Sequence, residues 1–413
     1  MGFLNKVTER RDSWSEHAMK NTVKKRIENV VIIGASHAAA EAISTLRKSG
    51  WEGSIALVGD EKNLPYQRPP LSKAYYKGEL GVEKLAIKNP QFYLKAKVDL
   101  FIGRRVESIN RQEKYVTLDD GKNIDYSHLI IATGTRARYL SVEGGDLHSI
   151  KYLRTMADVD DIKKALKSSA KLLIVGAGYI GLEVAASATK QGLNVTVLEA
   201  MDRVLARVTS PVVSSFYQNM HAQAGVEIRL NTALEKFAEI DGKYFAVLAN
   251  GEKLEFDCAI VGIGVIPNTE LADDAGLLCD NGIVVDEFTR TADPFIYAVG
   301  DCSNHPNFIY HRRIRLESVP NAVAQAKTAA KAICGKDVVY KQLPWFWSDQ
   351  YDVKLQTAGL LAGYDDYKVE GDVKGAKFSV RYFKHGKLIA LDALNSPAEF
   401  IKAKKLIMLE ASE

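Results

Sequence analysis

Residues 171–186, KLLIVGAGYIGLEVAA, constrain this chain more than any other stretch. Residues 172–175 are a short, wholly apolar run, as a buried parallel strand requires. Gly176, Gly178 and Gly181 follow at G-x-G-x-x-G spacing, and an alanine-rich stretch then reads as helix. The first glycine makes a tight turn, the second lets backbone approach a pyrophosphate, and the third lets helix and strand pack closely. Phosphates then sit on the free N–H groups of the helix start, where the dipole favours negative charge. Residues 194–198 form the next apolar strand and run into Glu199, eighteen residues past Gly181. That spacing suits a carboxylate on a ribose 2′-OH, which repels a 2′-phosphate. A lone glycine motif also serves any tight strand-to-helix turn. Strand, turn, helix, strand and acid together point to NAD(H) in preference to NADP(H).

A second unit precedes it. Residues 29–33 read as a strand, residues 34–50 as a turn and a helix closed by glycine, and residues 55–58 as the next strand, ending near Asp60. Gly34, Ser36 and Ala39 stand at the three glycine positions. Ser36 departs from the pattern, since a side chain now faces the phosphate, but its hydroxyl can hydrogen-bond a phosphate oxygen. Residues 64–73, LPYQRPPLSK, make a stiff loop expected to end at a helix start near Ser72. Further strands are expected at residues 98–102, 115–118, 129–131, 227–230, 244–248, 257–261, 283–285 and 296–299. Helices are expected at residues 158–167, 212–224 and from Ser318 to about 333. From residue 343 onward, alternating apolar residues predict an antiparallel sheet with a closing helix.

The bulk properties narrow the class. A chain of 413 residues exceeds one core, and a net charge of +4 argues against general nucleic-acid binding. Cys258, Cys279, Cys302 and Cys334 lack cluster or zinc-ligand spacing, which suits buried thiols in a reducing cytoplasm and no metal site. No apolar run approaches a membrane span. Residues 1–27 are polar and charged, with no apolar core for a signal peptide, and read as a loose or helical extension.

Two nucleotide units joined by Ala132-Thr133-Gly134, then TRTADPFIYAVGDC at residues 289–302, resemble the two-dinucleotide flavoproteins of the glutathione reductase superfamily. LPYQRPPLSK, GAGYIGLE, RLESVPNA at residues 315–322 and PWFWSDQ at residues 344–350 narrow the likeness to the putidaredoxin reductase-like, FAD-dependent NADH:ferredoxin reductases of bacterial oxygenase systems. The resemblance implies an α/β fold with two Rossmann-like dinucleotide-binding domains, for FAD and NAD, plus a C-terminal α+β domain. The expected bounds are 28–133 with 262–335 for FAD, 134–261 for NAD and 336–413 for the last domain. It implies that Gly34, Ser36 and Ala38 lie along the FAD pyrophosphate and Asp60 on its adenosine ribose. Lys73 would lie beside the isoalloxazine, Val106 would present backbone to the adenine and Arg154 would flank the flavin. Asp301 would take the ribityl chain, Val319 the pyrimidine end, and Trp345 would lie over the flavin. Gly176, Gly178, Tyr179, Ile180, Gly181 and Glu199 would hold NADH.

The chemistry implied is hydride transfer from NADH to FAD, then single electrons to an acidic 2Fe-2S ferredoxin serving a haem-thiolate monooxygenase or a ring-hydroxylating dioxygenase. Lys73, Glu183 and Tyr179 are the catalytic candidates. Tyr179 is placed as a gate over the flavin or as helix-packing filler, and Glu183 as a partner of Lys73 or merely an acid near a helix start. Arg312, Arg313, Arg315, Lys327 and Lys331 are candidates for a docking face or for a plain solvated surface. A monomer or weak dimer is expected. A rubredoxin reductase and an apoptosis-inducing-factor-like binding flavoprotein are the alternatives. A disulfide or peroxide reductase is disfavoured, because residues 34–101 hold no cysteine.

Overall fold

Two parallel five-stranded sheets organise the computed structural model, which describes residues 28–167 and 170–411; the expected extension lies outside the described residues. The first sheet runs in the order Ile296–Ala298, His128–Ile131, Asn29–Ile33, Ser54–Gly59, Val98–Ile102. The second runs Glu227–Arg229, Asn194–Leu198, Lys171–Val175, Cys258–Val261, Ile150–Tyr152. In each, the strand before the glycine turn has the next strand of its unit on one side and a later one on the other. A crevice therefore opens beyond the carboxyl ends of the strands at the point where the order reverses, the usual ligand position in such sheets.

Both faces of the first sheet are covered, which is why Asn29–Ile33, Ser54–Gly59 and His128–Ile131 bury successive residues rather than alternate ones. Val30, Ile32, Ile55 and Leu57 pack under the helices His37–Lys48 and Val319–Ile333. Val31, Ile33, Ala56 and Val58 pack on the other side against Val106, Val116 and Leu118 of an antiparallel hairpin. Alanines 38, 39, 42, 326, 329 and 330 line the contact between the two helices, and their small size lets the helices approach closely.

The last section is an antiparallel sheet, ordered Trp345–Gln350, Val353–Gly359, Lys387–Leu394, Lys377–Lys384, Asp366–Asp372. One face, with Leu355, Val380, Tyr382 and Ala390, joins the core of the second nucleotide unit. The other, with Ala358, Leu388 and Leu391, is closed by Phe400, Ala403 and Ile407 of the helix Pro397–Glu410. This sheet is therefore fixed to the second unit by a shared core.

One expectation is corrected. The proline loop does not lead into a helix at Ser72. It carries a short 3-10 helix over Pro69–Ser72 and ends there, with Lys73 at its C-cap outside helical geometry. At Lys73 the backbone stands at φ −129° and ψ −111°, outside helical space, and the chain leaves by turns through Gly78.

The glycines of the second unit divide by role. A Cβ on Gly181 would stand 2.3 Å from the Gly176 carbonyl oxygen, whereas one on Gly178 would meet nothing within 4 Å. Gly181→Ala should lower stability by about 1–3 kcal/mol in a denaturant titration. Gly178→Ala should leave stability within about 0.5 kcal/mol of the parent but weaken NADH binding.

Candidate active site

Both glycine turns have the geometry of a phosphate cradle. Gly34 and Gly176 sit at φ +104° and +106°, each so close to the neighbouring strand's exit that a Cβ would strike a carbonyl oxygen, of Ala132 and Gly262 respectively. Both helices then begin with no acidic residue in the first turn, and neither Ser36 nor Gly178 makes a side-chain cap hydrogen bond. Such starts offer unclaimed N–H groups and positive dipole ends to an anion. The Ser36 hydroxyl, spent on no cap, is available to a phosphate oxygen. The two cradles thus fit two dinucleotides.

The first cradle is ringed by fixed charge. Ala38 is buried in its helix, against the Gly300–Asp301 turn and Ala322 of the helix that Val319 opens. Arg68 is held by Glu61 at 2.6 Å, by the Arg154 carbonyl at 2.8 Å and by the Tyr66 hydroxyl at 3.2 Å. Arg154 in turn lies 3.7 Å from Asp301. Burial, then Arg68 and Arg154, lower the His37 pKa to about 4, so this imidazole at the helix start is neutral at pH 7. Burial pushes the Asp301 carboxyl up, against the pull of Arg154. The hydrogen bond Asp301 accepts from Thr135 is long, 3.4 Å, leaving acceptor capacity that suits a polyol hydroxyl. Asp60 is exposed just past its strand. Backbone bonds from Gly103 to Glu61 and from Arg104 to Gly59 bring the strand opened by Val106 beside it. Asp60 and Val106 therefore border one end of the crevice.

The second cradle holds Glu199 by its backbone. One carboxylate oxygen accepts from the Ala177 N–H at 2.8 Å and the other from Met201 N–H at 2.9 Å. The acid is thereby aimed beside the glycine turn with lone pairs remaining for a diol. Ile180, in the first turn, is 48% exposed, an apolar surface laid open at the cradle.

Lys73 and Glu183 join the two units. Their charged atoms are 2.5 Å apart, with the carboxylate buried. Glu183 is the fifth residue of the helix Tyr179–Lys190, too deep to serve merely as an acid at its start. It also accepts the Ser72 hydroxyl at 2.6 Å and the Ser348 hydroxyl at 2.7 Å. One carboxylate therefore collects a loop of the first unit, a helix of the second and a strand of the C-terminal sheet.

Alternation along Trp345–Gln350 decides which side chains reach it. Phe346, Ser348 and Gln350 turn inward, to Tyr179, Glu183 and His221. Trp345 turns the other way and packs on Trp347, Phe400 and Lys404. Tyr179, four residues before Glu183, shares that residue's helix face.

The basic cluster also divides. Arg313 donates to the carbonyls of Val285 and Asn304, and Arg315 is tied to Glu317, Asn281 and the Asp301 carbonyl. Both guanidinium groups thus brace backbone carbonyls near Asp301, and Arg313 is exposed as well. Arg312 is exposed, and Lys327 pairs loosely with Glu41 at 3.7 Å. Sequence reasoning passed over Arg68, Ser72, Phe346 and Ser348. The sole signals were an arginine between prolines and the alternation of PWFWSDQ.

Among the described residues no helix is long and apolar enough to cross a membrane, and the four cysteines are free thiols. The model of the pyridine nucleotide-disulphide oxidoreductase family matches residues 28–326, and that of the reductase C-terminal domain matches residues 345–412. The chain is 45% identical to putidaredoxin reductase CamA of Pseudomonas putida, over 92% of each chain. It is 44% identical to rhodocoxin reductase of Rhodococcus erythropolis, over 92% of this chain and 90% of that one. The solved covalent putidaredoxin reductase–putidaredoxin complex matches at TM-score 0.89 and 44% identity, covering 92% of this chain and 93% of that one. With its two phosphate cradles and its C-terminal sheet, the chain belongs to the pyridine nucleotide-disulphide oxidoreductase family.

Proposed function

We propose that this protein takes hydride from NADH onto FAD and passes single electrons to a 2Fe-2S ferredoxin that serves an oxygenase. The observation that supports the reading is the Lys73–Glu183 pair, which joins the loop of the first unit to the helix of the second, so that the reactive ends of two nucleotides would meet beside it. The likeness to putidaredoxin reductase and to its complex with putidaredoxin supports a ferredoxin as acceptor.

FAD held there would supply a two-electron acceptor able to give up its electrons singly. The protein supplies the rest. Gly34, Ser36, Ala38 and Arg154 would hold the flavin nucleotide by phosphate and charge, Asp301 would take a hydroxyl of its chain, and Asp60 and Val106 would hold its adenosine end. Gly176, Gly178, Gly181, Ile180 and Glu199 hold NADH so that its nicotinamide lies along the face carrying Tyr179 and Glu183. Lys73, locked by Glu183 and by the Pro69 carbonyl at 3.2 Å, keeps a cation where negative charge arrives. The start of the helix opened by Val319 does the same from another side, its cap fixed by the Ser318 hydroxyl accepting the Asn321 N–H at 3.3 Å. Tyr179 acts as a gate over the stacking face. Arg312, Lys327 and Lys331 offer the positive surface on which an acidic carrier docks.

Three results are expected. Glu199→Ala should lower kcat/KM for NADH by roughly 10–100-fold, the cost of one charged hydrogen-bonding partner, with NADPH little affected, in steady-state ferricyanide assays. Lys73→Met leaves a buried carboxylate without its counter-charge and should cost about 3 kcal/mol in denaturant unfolding. Arg312→Glu should slow ferredoxin reduction by about tenfold at low salt and leave ferricyanide reduction unchanged. Equal slowing with both acceptors would remove Arg312 from the docking face.

A further inference from the structure

Gln325 is wholly buried inside the helix Val319–Ile333, where a polar side chain must find partners. It finds them in the turn that carries Asp301. Its side-chain oxygen accepts the Gly300 N–H at 2.7 Å and the Ser303 hydroxyl at 2.8 Å. The side-chain amide of Asn321, one turn earlier on the same helix, approaches that oxygen at 3.4 Å. The turn itself is short, closed by the Ser303 N–H donating to the Gly300 carbonyl. Gln325 thus grips both ends of the segment on which Asp301 stands. Gly300 holds φ +80°, and a Cβ on it would stand 3.4 Å from that of Ala322 and 3.9 Å from that of Ala38. The junction of turn and helix therefore backs directly onto the first cradle.

A backbone N–H can only donate, so the Gly300 contact fixes which end of the glutamine amide is oxygen. The amide nitrogen then points the other way, to Nδ1 of the buried His305 at 3.0 Å. That ring nitrogen must accept, which places the imidazole proton on Nε2. Burial, then Arg313, lower the His305 pKa to about 4, so the ring is neutral at pH 7 and able to accept. Asn321 is held in turn. Its side-chain oxygen accepts the Tyr340 hydroxyl at 2.8 Å, and its backbone N–H donates to the capping Ser318 hydroxyl. One buried amide therefore couples the Asp301 turn to the start of the helix that Val319 opens.

We propose that Gln325 is a positioning residue for the flavin nucleotide, setting the Asp301 turn and the Val319 helix start in place before FAD binds. Without an oxygen at this position the Gly300 N–H is left buried and unpaired, and the turn relaxes. FAD must then order it again on binding, and that cost is taken from its affinity. The inference rests on the reading of the first cradle as the FAD site.

The test follows FAD leaving the diluted holoprotein by the flavin fluorescence that appears, which gives a dissociation constant without turnover. Gln325→Met keeps the length and the apolar stem but offers the turn no oxygen. It should bind FAD roughly 10–100-fold more weakly than the parent. Gln325→Glu returns an oxygen to Gly300 and Ser303, and His305 can meet the second oxygen with Nδ1–H in its other tautomer. It should recover most of the lost affinity, which a residue that merely fills space would not do. Gln325→Met binding FAD as tightly as the parent, or Gln325→Glu binding it as weakly as Gln325→Met, would overturn the inference. Should Gln325→Met fail to fold, Ser303→Ala removes one tie to the same oxygen and should weaken FAD binding about fivefold, the equivalent of one net hydrogen bond. Unchanged affinity there would overturn the inference as well. A parent protein that holds no FAD would instead overturn the reading on which it rests.

Discussion

A buried carboxylate needs donors on every side, and Glu183 meets that need by drawing three parts of the molecule together. Lys73 and Ser72 come from the proline loop of the first unit, and Ser348 from the C-terminal sheet. Withdrawing any of them leaves charge or lone pairs uncompensated inside the protein, a loss larger than a net hydrogen bond contributes. The Ser72 carbonyl also accepts the Ser187 hydroxyl one turn further along the same helix, at 2.8 Å. The relative position of the two cradles is thus set by a few short, directional contacts as well as by apolar packing.

The stiffness of the proline loop gains its meaning from this constraint. Prolines 69 and 70 fix the backbone of a short 3-10 turn, so Ser72 and Lys73 reach Glu183 with little entropy left to lose. Arg68, at the turn's N-cap, reaches the opposite way, to Glu61 and the Arg154 carbonyl. One rigid turn thereby serves both the charge around the first cradle and the bridge to the second.

Local patterns made much of this legible in the sequence. Apolar runs ending in glycine turns predicted the strands of both parallel sheets, and the acids expected for the riboses, Asp60 and Glu199, stand just past the second strand of each unit. Pairing of Lys73 with Glu183 was one of two open readings, because residues more than a hundred positions apart leave no periodic trace of their contact. The same limit hid Ser348, whose contact with Glu183 follows from the alternation of its strand. Trp345 and Trp347 drew notice by their size, yet alternation turns Phe346 and Ser348 toward the nucleotide helix instead. The arginine run read as surface because composition cannot distinguish a solvated guanidinium from one that binds carbonyls, as Arg313 does.

Direct hydride transfer requires NADH and FAD to meet closely across the Lys73–Glu183 bridge. The most direct measurement is anaerobic stopped-flow reduction of the FAD-loaded protein with NADH carrying deuterium at one or the other of the two C4 positions of its nicotinamide. Rapid bleaching of the flavin, slowed several-fold by deuterium at one position and untouched by deuterium at the other, is the result expected. A flavin that NADH does not bleach, or that bleaches at the same rate with either label, would contradict it.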